Sequence, residues 1–277
     1  MFVCALPRVS FSQISGPIDY THASENLAEL FVLSTSHQAV RPTDDFGKFW
    51  GTYTQSESWS ESYSIEYGIS MQIIPLNQTL RNSLLTFDVP ESQIPQNIYV
   101  PRFHYMLGIR KNLAVGLNAL YYPDWQTIGV GLTFAYTFLE SNHWYTGLLL
   151  NYGGAWKNNF MDISSGGVAL VETYAIKSFE IYGGIKYIFG TANFVAPPNQ
   201  QSFGKINYES EFGSSYLAGI SFNLLRNLGV WDETVTFTGQ VEFEKNLDPN
   251  YIVKLTLKVP SHRSYSKPLT GSQGLIR

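Results

Sequence analysis

The feature that most constrains the fold is a two-residue alternation of apolar and polar side chains, which recurs about ten times along the chain. It runs unbroken from Tyr251 to Val259. Neighbouring side chains of a β-strand point to opposite faces, so Tyr251 shares one face with Leu255, while Lys254 and Lys258 share the other. One face therefore suits an apolar surrounding such as lipid, and the other suits water.

The same alternation predicts ten strands with polar or irregular sequence between them. The predicted strands are Tyr63–Gln72, Arg102–Ile109, Leu113–Tyr121, Ile128–Phe138, Trp144–Trp156, Gly167–Ile176, Phe179–Phe189, Tyr216–Leu224, Val235–Phe243 and Tyr251–Val259. A twelve-stranded version would recruit Phe49–Tyr53 and Leu84–Val89. In the sixth strand Glu172 falls on the apolar face, which predicts a bulge that shifts the register there.

Composition and charge limit the class of protein. Charged residues are only 14% of the chain, and no run approaches the roughly 20 apolar residues of a membrane-spanning helix, so a membrane crossing requires a closed barrel. The net charge of -4, without a basic patch, argues against nucleic acid as a partner. Cys4 is the single cysteine, which excludes an intrachain disulfide. No metal-ligand spacing and no glycine-rich phosphate loop is present, so we expect no cofactor and no metal.

Connection lengths alternate along the chain and give an expected orientation. The predicted links at 110–112, 140–143 and 177–178 are short, whereas those after the first, fifth and seventh strands are long. Outer-membrane barrels have short periplasmic turns and longer extracellular loops. Both ends of the barrel segment, 61–259, are therefore expected on the periplasmic side.

The residues ahead of the first strand contain the predicted helix. It spans Ser24–Val40, with Ser24 as its cap and with Leu27, Leu30 and Phe31 at helical spacing. We expect this helix in a periplasmic segment, 13–60, with its apolar stripe at the barrel mouth or inside the lumen. Residues 1–12 are interpreted as the remnant of a secretory signal, and 260–277 as a tail.

The polar faces of the predicted strands define a candidate lumen. The predicted lining residues are Glu66, Arg102, His104, Gly116, Gly129, Gly131, Glu180, Lys186, Glu242, Glu244, Lys254 and Lys258. Pairing of the last two strands across a loop at 245–250 would place Glu242 directly opposite Lys254. Two interpretations stay open: the charges neutralise one another in a barrel filled by side chains, or they line a polar conduit partly occupied by the helix.

Three segments, Tyr63–Gln72, Ile128–Phe138 and Tyr251–Val259, give residues 61–259 a resemblance to Gram-negative outer-membrane β-barrels of the porin-like kind. The helix ahead of them is similar to the N-terminal segments that plug transport barrels of the fatty-acid-transporter type. Such proteins usually finish on a terminal aromatic residue, whereas this last strand ends at Val259. The resemblance implies an all-β, closed antiparallel transmembrane barrel in the outer membrane. It further implies surrounding lipids and either passive passage of a small solute or a structural role.

Two other classes of protein compete with this interpretation. An outer-membrane barrel that hydrolyses lipids or peptides needs a nucleophile beside a histidine. His104 is the histidine that lies within a predicted strand, and the sequence assigns it no nucleophile, so we expect no enzymatic activity. A secreted, soluble ligand-binding barrel would reverse the parity, with its apolar faces inward and its polar faces outward.

Overall fold

A computed structural model describes residues 20–36, 64–87, 89–110, 112–123, 126–141, 143–156, 161–176, 179–194, 205–209, 215–226, 234–244 and 247–260. It contains the helices α1 (Tyr20–Ser36) and α2 (Gln78–Thr86) and a 3₁₀ turn at Glu91–Gln93. The strands are β1 (Ser64–Pro75), β2 (Asn97–Arg110), β3 (Leu113–Tyr122), β4 (Thr127–Ser141), β5 (Trp144–Trp156), β6 (Met161–Ile176), β7 (Phe179–Phe194), β8 (Lys205–Glu209), β9 (Ser215–Arg226), β10 (Thr234–Glu244) and β11 (Leu247–Pro260). The predicted signal remnant at 1–12, the optional strand Phe49–Tyr53 and the tail beyond Pro260 lie outside the described residues. Within the described ranges, no helix is long and apolar enough to cross a membrane.

Ten of the strands close into one antiparallel barrel. β1 to β7, β9, β10 and β11 pair in that order, and β11 pairs back with β1 to complete the ring. β8 lies beside the far end of β7, because β7 pairs with β9 over 179–186 and with β8 over 189–193. The predicted closed barrel of ten strands is confirmed.

The strand faces follow the predicted alternation. In β4, the side chains of Ile128, Val130 and Leu132 point outward and are about half exposed. Gly129 and Gly131 between them lie at inward positions. The same pattern in the other strands gives an outer face of large apolar side chains. So much exposed apolar surface is stable only in an apolar medium, and the fold is that of an outer-membrane β-barrel. The alternative of a soluble ligand-binding barrel, whose apolar side chains would face inward, is contradicted.

β6 keeps one register along its whole length. It pairs without a shift against both β5 and β7, and Glu172 lies opposite Thr146 and Gly183. The prediction of a bulge in this strand was wrong, because Glu172 stays on the outer face and is exposed there. Its position is close to the end of β6 at Ile176, where a charge on the lipid-facing side costs little.

The two mouths of the barrel differ. At the lower mouth β1 begins at Ser64 and β11 ends at Pro260; only 111–112, 142–143 and 177–178 separate successive strands there, whereas 227–233 separate β9 from β10. The upper mouth holds the longer links 76–96, which contains α2, and 195–214, which contains β8. The predicted long link after β5 was wrong, since β6 already begins at Met161 and leaves only 157–160 between the two strands.

The link from β1 to β2 folds over the upper mouth. α2 begins at Asn77, whose side-chain oxygen accepts a hydrogen bond from the amide of Leu80 at 2.9 Å, which is a favourable N-cap arrangement. Leu80 and Leu84 recur at helical spacing and are buried in the same apolar cluster as α1. The optional strand at Leu84–Val89 is therefore contradicted.

Candidate functional site

α1 fills the upper half of the lumen. Leu27, Leu30 and Phe31, which form its predicted apolar stripe, are each at most 1% exposed. They belong to one apolar cluster with side chains of α2 and of the barrel wall, and α1 packs against β5, β6, β7 and β8. Because a helix of this length is marginal by itself, burial of its apolar side chains is what holds it folded in the lumen.

Small wall residues make room for α1. A Cβ atom on Gly190 of β7 would lie 2.5 Å from the carbonyl oxygen of Ser164 on β6 and 2.7 Å from Cγ1 of Val32 on α1, which is closer than these atoms can pack. On Gly167 of β6, a Cβ atom would lie 4.0 Å from Cβ of Ser36, at ordinary contact distance. The backbone of β6 and the close approach of α1 therefore both require glycine at 190, whereas a small side chain is permitted at 167.

The predicted lining glycines serve a different purpose. These are Gly116, Gly129 and Gly131 on β3 and β4. A Cβ atom on the first would overlap Sδ of Met106, and Cβ atoms on the other two would lie 2.8 Å from Cγ of Leu120 and 2.7 Å from Nδ2 of Asn118. Inward side chains of β2 and β3 fill the space that these glycines leave.

α1 runs from the upper mouth into the middle of the barrel. Near its start, Nδ2 of Asn26 donates a hydrogen bond to Oγ of Ser83 on α2 at 3.1 Å. Its last carbonyl, that of Ser36, accepts a hydrogen bond from Nδ2 of Asn151, which lies midway along β5, at 3.1 Å. The helix thus lies on the side of the long links. A periplasmic position for α1 and an extracellular position for the long links are incompatible with each other.

Tyr122 anchors the second half of α1, and sequence reasoning missed it. Its hydroxyl oxygen lies 2.6 Å from Oγ of Ser34 and 2.9 Å from Oγ1 of Thr35. Its ring meets that of Phe31 edge to face, with the ring centroids 6.0 Å apart. The sequence did indicate this position, because the two-residue alternation of β3 places Tyr122 on the inward face and its neighbour Tyr121 on the outward face.

A first charged network joins β7 to β10 inside the barrel. Nζ of Lys186 donates to Oε1 of Glu242 at 3.0 Å, and both side chains are at most 4% exposed. The same carboxylate oxygen accepts from Nε2 of Gln240 at 2.6 Å, and the hydroxyl of Tyr182 donates to Oε1 of Gln240 at 2.8 Å. A Cβ atom on Gly219 of β9 would overlap the ring of Tyr182, so glycine lets this ring lie across the wall. The network is shielded from solvent, and each charge depends on its partner.

A second set of charged side chains joins β1 to its neighbours β11 and β2 as two separate pairs. Nζ of Lys254 donates to Oε1 of Glu66 at 2.9 Å, and Nη2 of Arg102 donates to Oε1 of Gln72 at 2.7 Å. Lys254, Arg102 and Gln72 are buried, and the Glu66 side chain keeps 12% of its exposure. These side chains, together with a buried apolar cluster that includes Met106 and Leu149, fill the lumen where α1 does not.

The predicted pair of Glu242 with Lys254 does not form. Only residues 245–246 join β10 to β11, so Glu242 lies opposite Asn250 and Lys254 lies opposite Thr238. The prediction assumed a loop over 245–250, which misplaced the partner by four positions. Each charge finds its partner on a different strand instead, Glu242 on β7 and Lys254 on β1.

Two more of the predicted residues lie on the same inner wall. Glu180 on β7 and Glu244 on β10 are buried inside the barrel. Lys258 lies opposite Glu66 in the pairing of β11 with β1, and its side chain lies outside the part that the structure describes. Among the described residues, no three His, Cys, Asp or Glu side chains come together to hold a metal ion.

Ser70 and His104 have the spacing of a nucleophile and a base. Oγ of Ser70 lies 2.6 Å from Nε2 of His104. The pairing of β1 with β2 brings these residues together, which is why the sequence did not assign the histidine a partner. Both side chains are buried, with 6% and 3% of their surface exposed, so little of the pair is open to a substrate in this conformation.

Neither a protein-family model nor a curated protein matches the sequence. Among solved structures, the translocator domain of autotransporter NalP from Neisseria meningitidis is similar over 87% of this chain and 98% of its own, with 8% identity and a TM-score of 0.41. The KdgM porin is similar over 72% of this chain and 99% of its own, with 8% identity and a TM-score of 0.36. The outer membrane protease OmpT from Escherichia coli is similar over 75% of this chain and 99% of its own, with 11% identity and a TM-score of 0.36.

Proposed function

We propose that this protein is a barrel of a Gram-negative outer membrane that passes small hydrophilic solutes passively when α1 leaves the lumen. In the conformation described above it is closed. The observation that carries the proposal is the content of the lumen, where a helix fills one half and a mixture of ion-paired and apolar side chains fills the other. The expectation of a non-enzymatic role is part of the same proposal.

The charged lining favours transport over a purely structural role. Buried ion pairs are costly to desolvate, and apolar residues of similar volume often give equal or greater stability. A barrel that only had to be filled would gain nothing from the Lys186–Glu242 and Lys254–Glu66 pairs. The same side chains are useful when the lumen admits water, since they then offer a hydrophilic solute polar contacts in the part of the lumen that α1 does not occupy.

α1 can leave the lumen without unfolding the wall of the barrel. The ring of strand pairings closes without it. Side-chain packing and side-chain hydrogen bonds, such as those from Tyr122 and Asn151, hold α1 in place. Its departure therefore breaks no backbone ladder of the barrel, and the ten strands remain paired.

A reversible disulfide tests whether α1 controls passage. The Cβ of Ser36 and a Cβ built on Gly167 lie 4.0 Å apart, which is within the range of about 3.5–4.5 Å that a disulfide needs. In a Cys4→Ser background, the double variant Ser36→Cys/Gly167→Cys should be silent in planar bilayers when oxidised and should show openings after reduction. The two single-cysteine variants are the controls, and oxidant should leave their conductance unchanged.

Deletion of residues 20–36 gives a second, independent readout. The upper lumen then loses its occupant, so single-channel conductance should exceed that of the full chain. Equal conductance of the oxidised and reduced double variant, together with no gain from the deletion, would contradict the proposal and would favour a structural barrel.

A second candidate function, hydrolysis, is favoured by one observation, the contact of Ser70 with His104 at 2.6 Å. A fluorophosphonate probe separates the two proposals because it labels only an activated serine. We expect no labelling of the full chain or of the variant that lacks 20–36. Labelling that disappears in Ser70→Ala would instead support a hydrolase.

A further inference from the structure

α1 has a direction inside the barrel. Its first residue, Tyr20, lies at the upper mouth, close to the contact of Asn26 with Ser83 on α2. Its last residue, Ser36, lies in the middle of the lumen, where its carbonyl accepts the hydrogen bond from Asn151. A helix of 17 residues is about 25 Å long, so α1 runs downward, from the side of the long links towards the lower mouth.

The start of α1 is open to solvent, whereas the rest of the helix is enclosed. The side chains of His22 and Glu25 keep 78% and 56% of their exposure, although the link 76–96 folds over the same mouth. Every residue from 27 to 36 is buried, and α2 and the strands β5 to β8 pack against the helix. A second pass of the chain has no room beside α1, so the chain has to reach Tyr20 from the upper side.

The first strand begins on the opposite side of the barrel. β1 starts at Ser64 at the lower mouth, whereas α1 ends inside a ring that the strand pairings close. The way down is short, because β5 extends only about 23 Å from Asn151 to its lower end at Trp144. A route over the upper rim and down the outside would lay backbone amide and carbonyl groups along the lipid-facing wall, which is costly. The chain therefore reaches Ser64 through the lower opening and passes the ring once.

The lower lumen has polar groups that suit such a pass. Thr137 on β4 and Thr173 on β6 point inward near the lower ends of their strands and are 8% and 0% exposed. Among the described residues, neither Oγ1 atom has a hydrogen-bond partner. Buried hydroxyl groups without partners are costly, and peptide groups of a passing chain would satisfy them. This pass shares the lower lumen with the ion pairs and apolar side chains of the wall.

We propose that the barrel presents the chain ahead of Tyr20 on the outer surface of the cell, with the chain threaded once through the lumen. The residues ahead of α1 then lie on the other side of the membrane from Ser64. The inference rests on the proposed membrane location and on the expected outward orientation of the long links. It adds a function to passage of solutes, because the barrel also anchors and displays its N-terminal segment.

Site-specific proteolysis on intact cells tests the inference. In the full chain, exported by a secretory signal, an epitope followed by a protease recognition sequence is inserted between residues 19 and 20. Protease added from outside should remove the epitope from the cells, while the remaining barrel keeps its heat-modifiable migration in detergent gels. The same recognition sequence in the short link 177–178 is the control, and it should be cut only after the outer membrane is permeabilised.

Cysteine labelling covers the case in which the insertion prevents folding. In a Cys4→Ser background, a bulky, membrane-impermeant maleimide should label His22→Cys on intact cells, since this side chain is 78% exposed. Ser24→Cys is the matched control from the same turn of the helix. It should stay unlabelled while α1 is seated, because Ser24 is only 2% exposed.

Failure of this inference can be told from failure of the proposed function. If the epitope and His22→Cys are reached only after permeabilisation, presentation on the outer surface is overturned. Labelling of Glu91→Cys on intact cells then shows that the chain turns back through the lumen, and its absence shows that the barrel has the opposite orientation. Conductance in planar bilayers depends on neither result, so the proposed function stands or falls separately.

Discussion

The buried pair of Lys186 with Glu242 allows a quantitative test of the closed lumen. Lys186→Met removes the cation that faces Oε1 of Glu242 at 3.0 Å and leaves a carboxylate that is 98% buried by side-chain area. Removing one member of a buried pair costs about 3–5 kcal/mol, because the remaining charge keeps its desolvation penalty and loses the ion pair. We expect a loss of this size in the free energy of unfolding.

The double variant Lys186→Met/Glu242→Leu should be destabilised by less than the sum of the two single changes. It removes both charges together and leaves apolar groups in their place, so the desolvation penalty disappears with the attraction. Guanidinium unfolding in detergent micelles, followed by circular dichroism and by heat-modifiable migration, measures each variant. This four-member cycle isolates the interaction between the two side chains.

Two further pairs calibrate the effect of burial. Glu66→Gln should cost less than the change at Lys186, since the Glu66 side chain keeps 12% of its exposure beside Lys254. Glu25→Gln should have no measurable effect, because Glu25 and His22 are both more than half exposed. A cost below about 1 kcal/mol for Lys186→Met would be that of a solvated surface pair. The lumen around Lys186 would then be hydrated, and the reasoning for a closed barrel would fail.

Three more expectations follow from the contacts of α1 and of the wall. Tyr122→Phe should destabilise α1 by about 1 kcal/mol, the usual net value of a hydrogen bond, and should raise the frequency of channel openings in planar bilayers; unchanged gating would contradict its role as an anchor. Gly219→Ala should cost about 1–3 kcal/mol in denaturant unfolding, because its Cβ overlaps the ring of Tyr182, and the cost should vanish in a Tyr182→Ala background. A bulky, membrane-impermeant maleimide tests the orientation in a cysteine-free background. It should label Glu91→Cys on intact cells, and should label His143→Cys only after the outer membrane is permeabilised. The reverse result would place the long links, and α1 with them, on the periplasmic side.

Much of the wall was predictable from the sequence, because the two-residue period is a local property of each strand. Ile128 and Gly129 fall on opposite faces of β4 whatever the partner strands are, and the faces of Lys254 and Leu255 on β11 follow in the same way. Prediction was weaker where the alternation of large apolar and polar residues is interrupted. The start of β6 at Met161 is rich in serine and glycine, and its alternation was not recognised.

The content of the lumen depended on contacts that no local pattern records. That Lys186 meets Glu242, and that Ser70 meets His104, follows from the register of the strands and from closure of the barrel. The pairing predicted for Glu242 failed because a difference of a few residues in one turn moves every partner along the strand.

The sequence by itself determined a closed antiparallel barrel with an apolar exterior and an amphipathic helix ahead of it. Only the tertiary structure decided what occupies the interior: α1 enters from the upper mouth, glycine at 190 lets it approach the wall, and Tyr122 holds it. The physical reason is that side-chain direction is set residue by residue along a strand, whereas packing inside a barrel depends on atoms that come from opposite walls and distant parts of the chain.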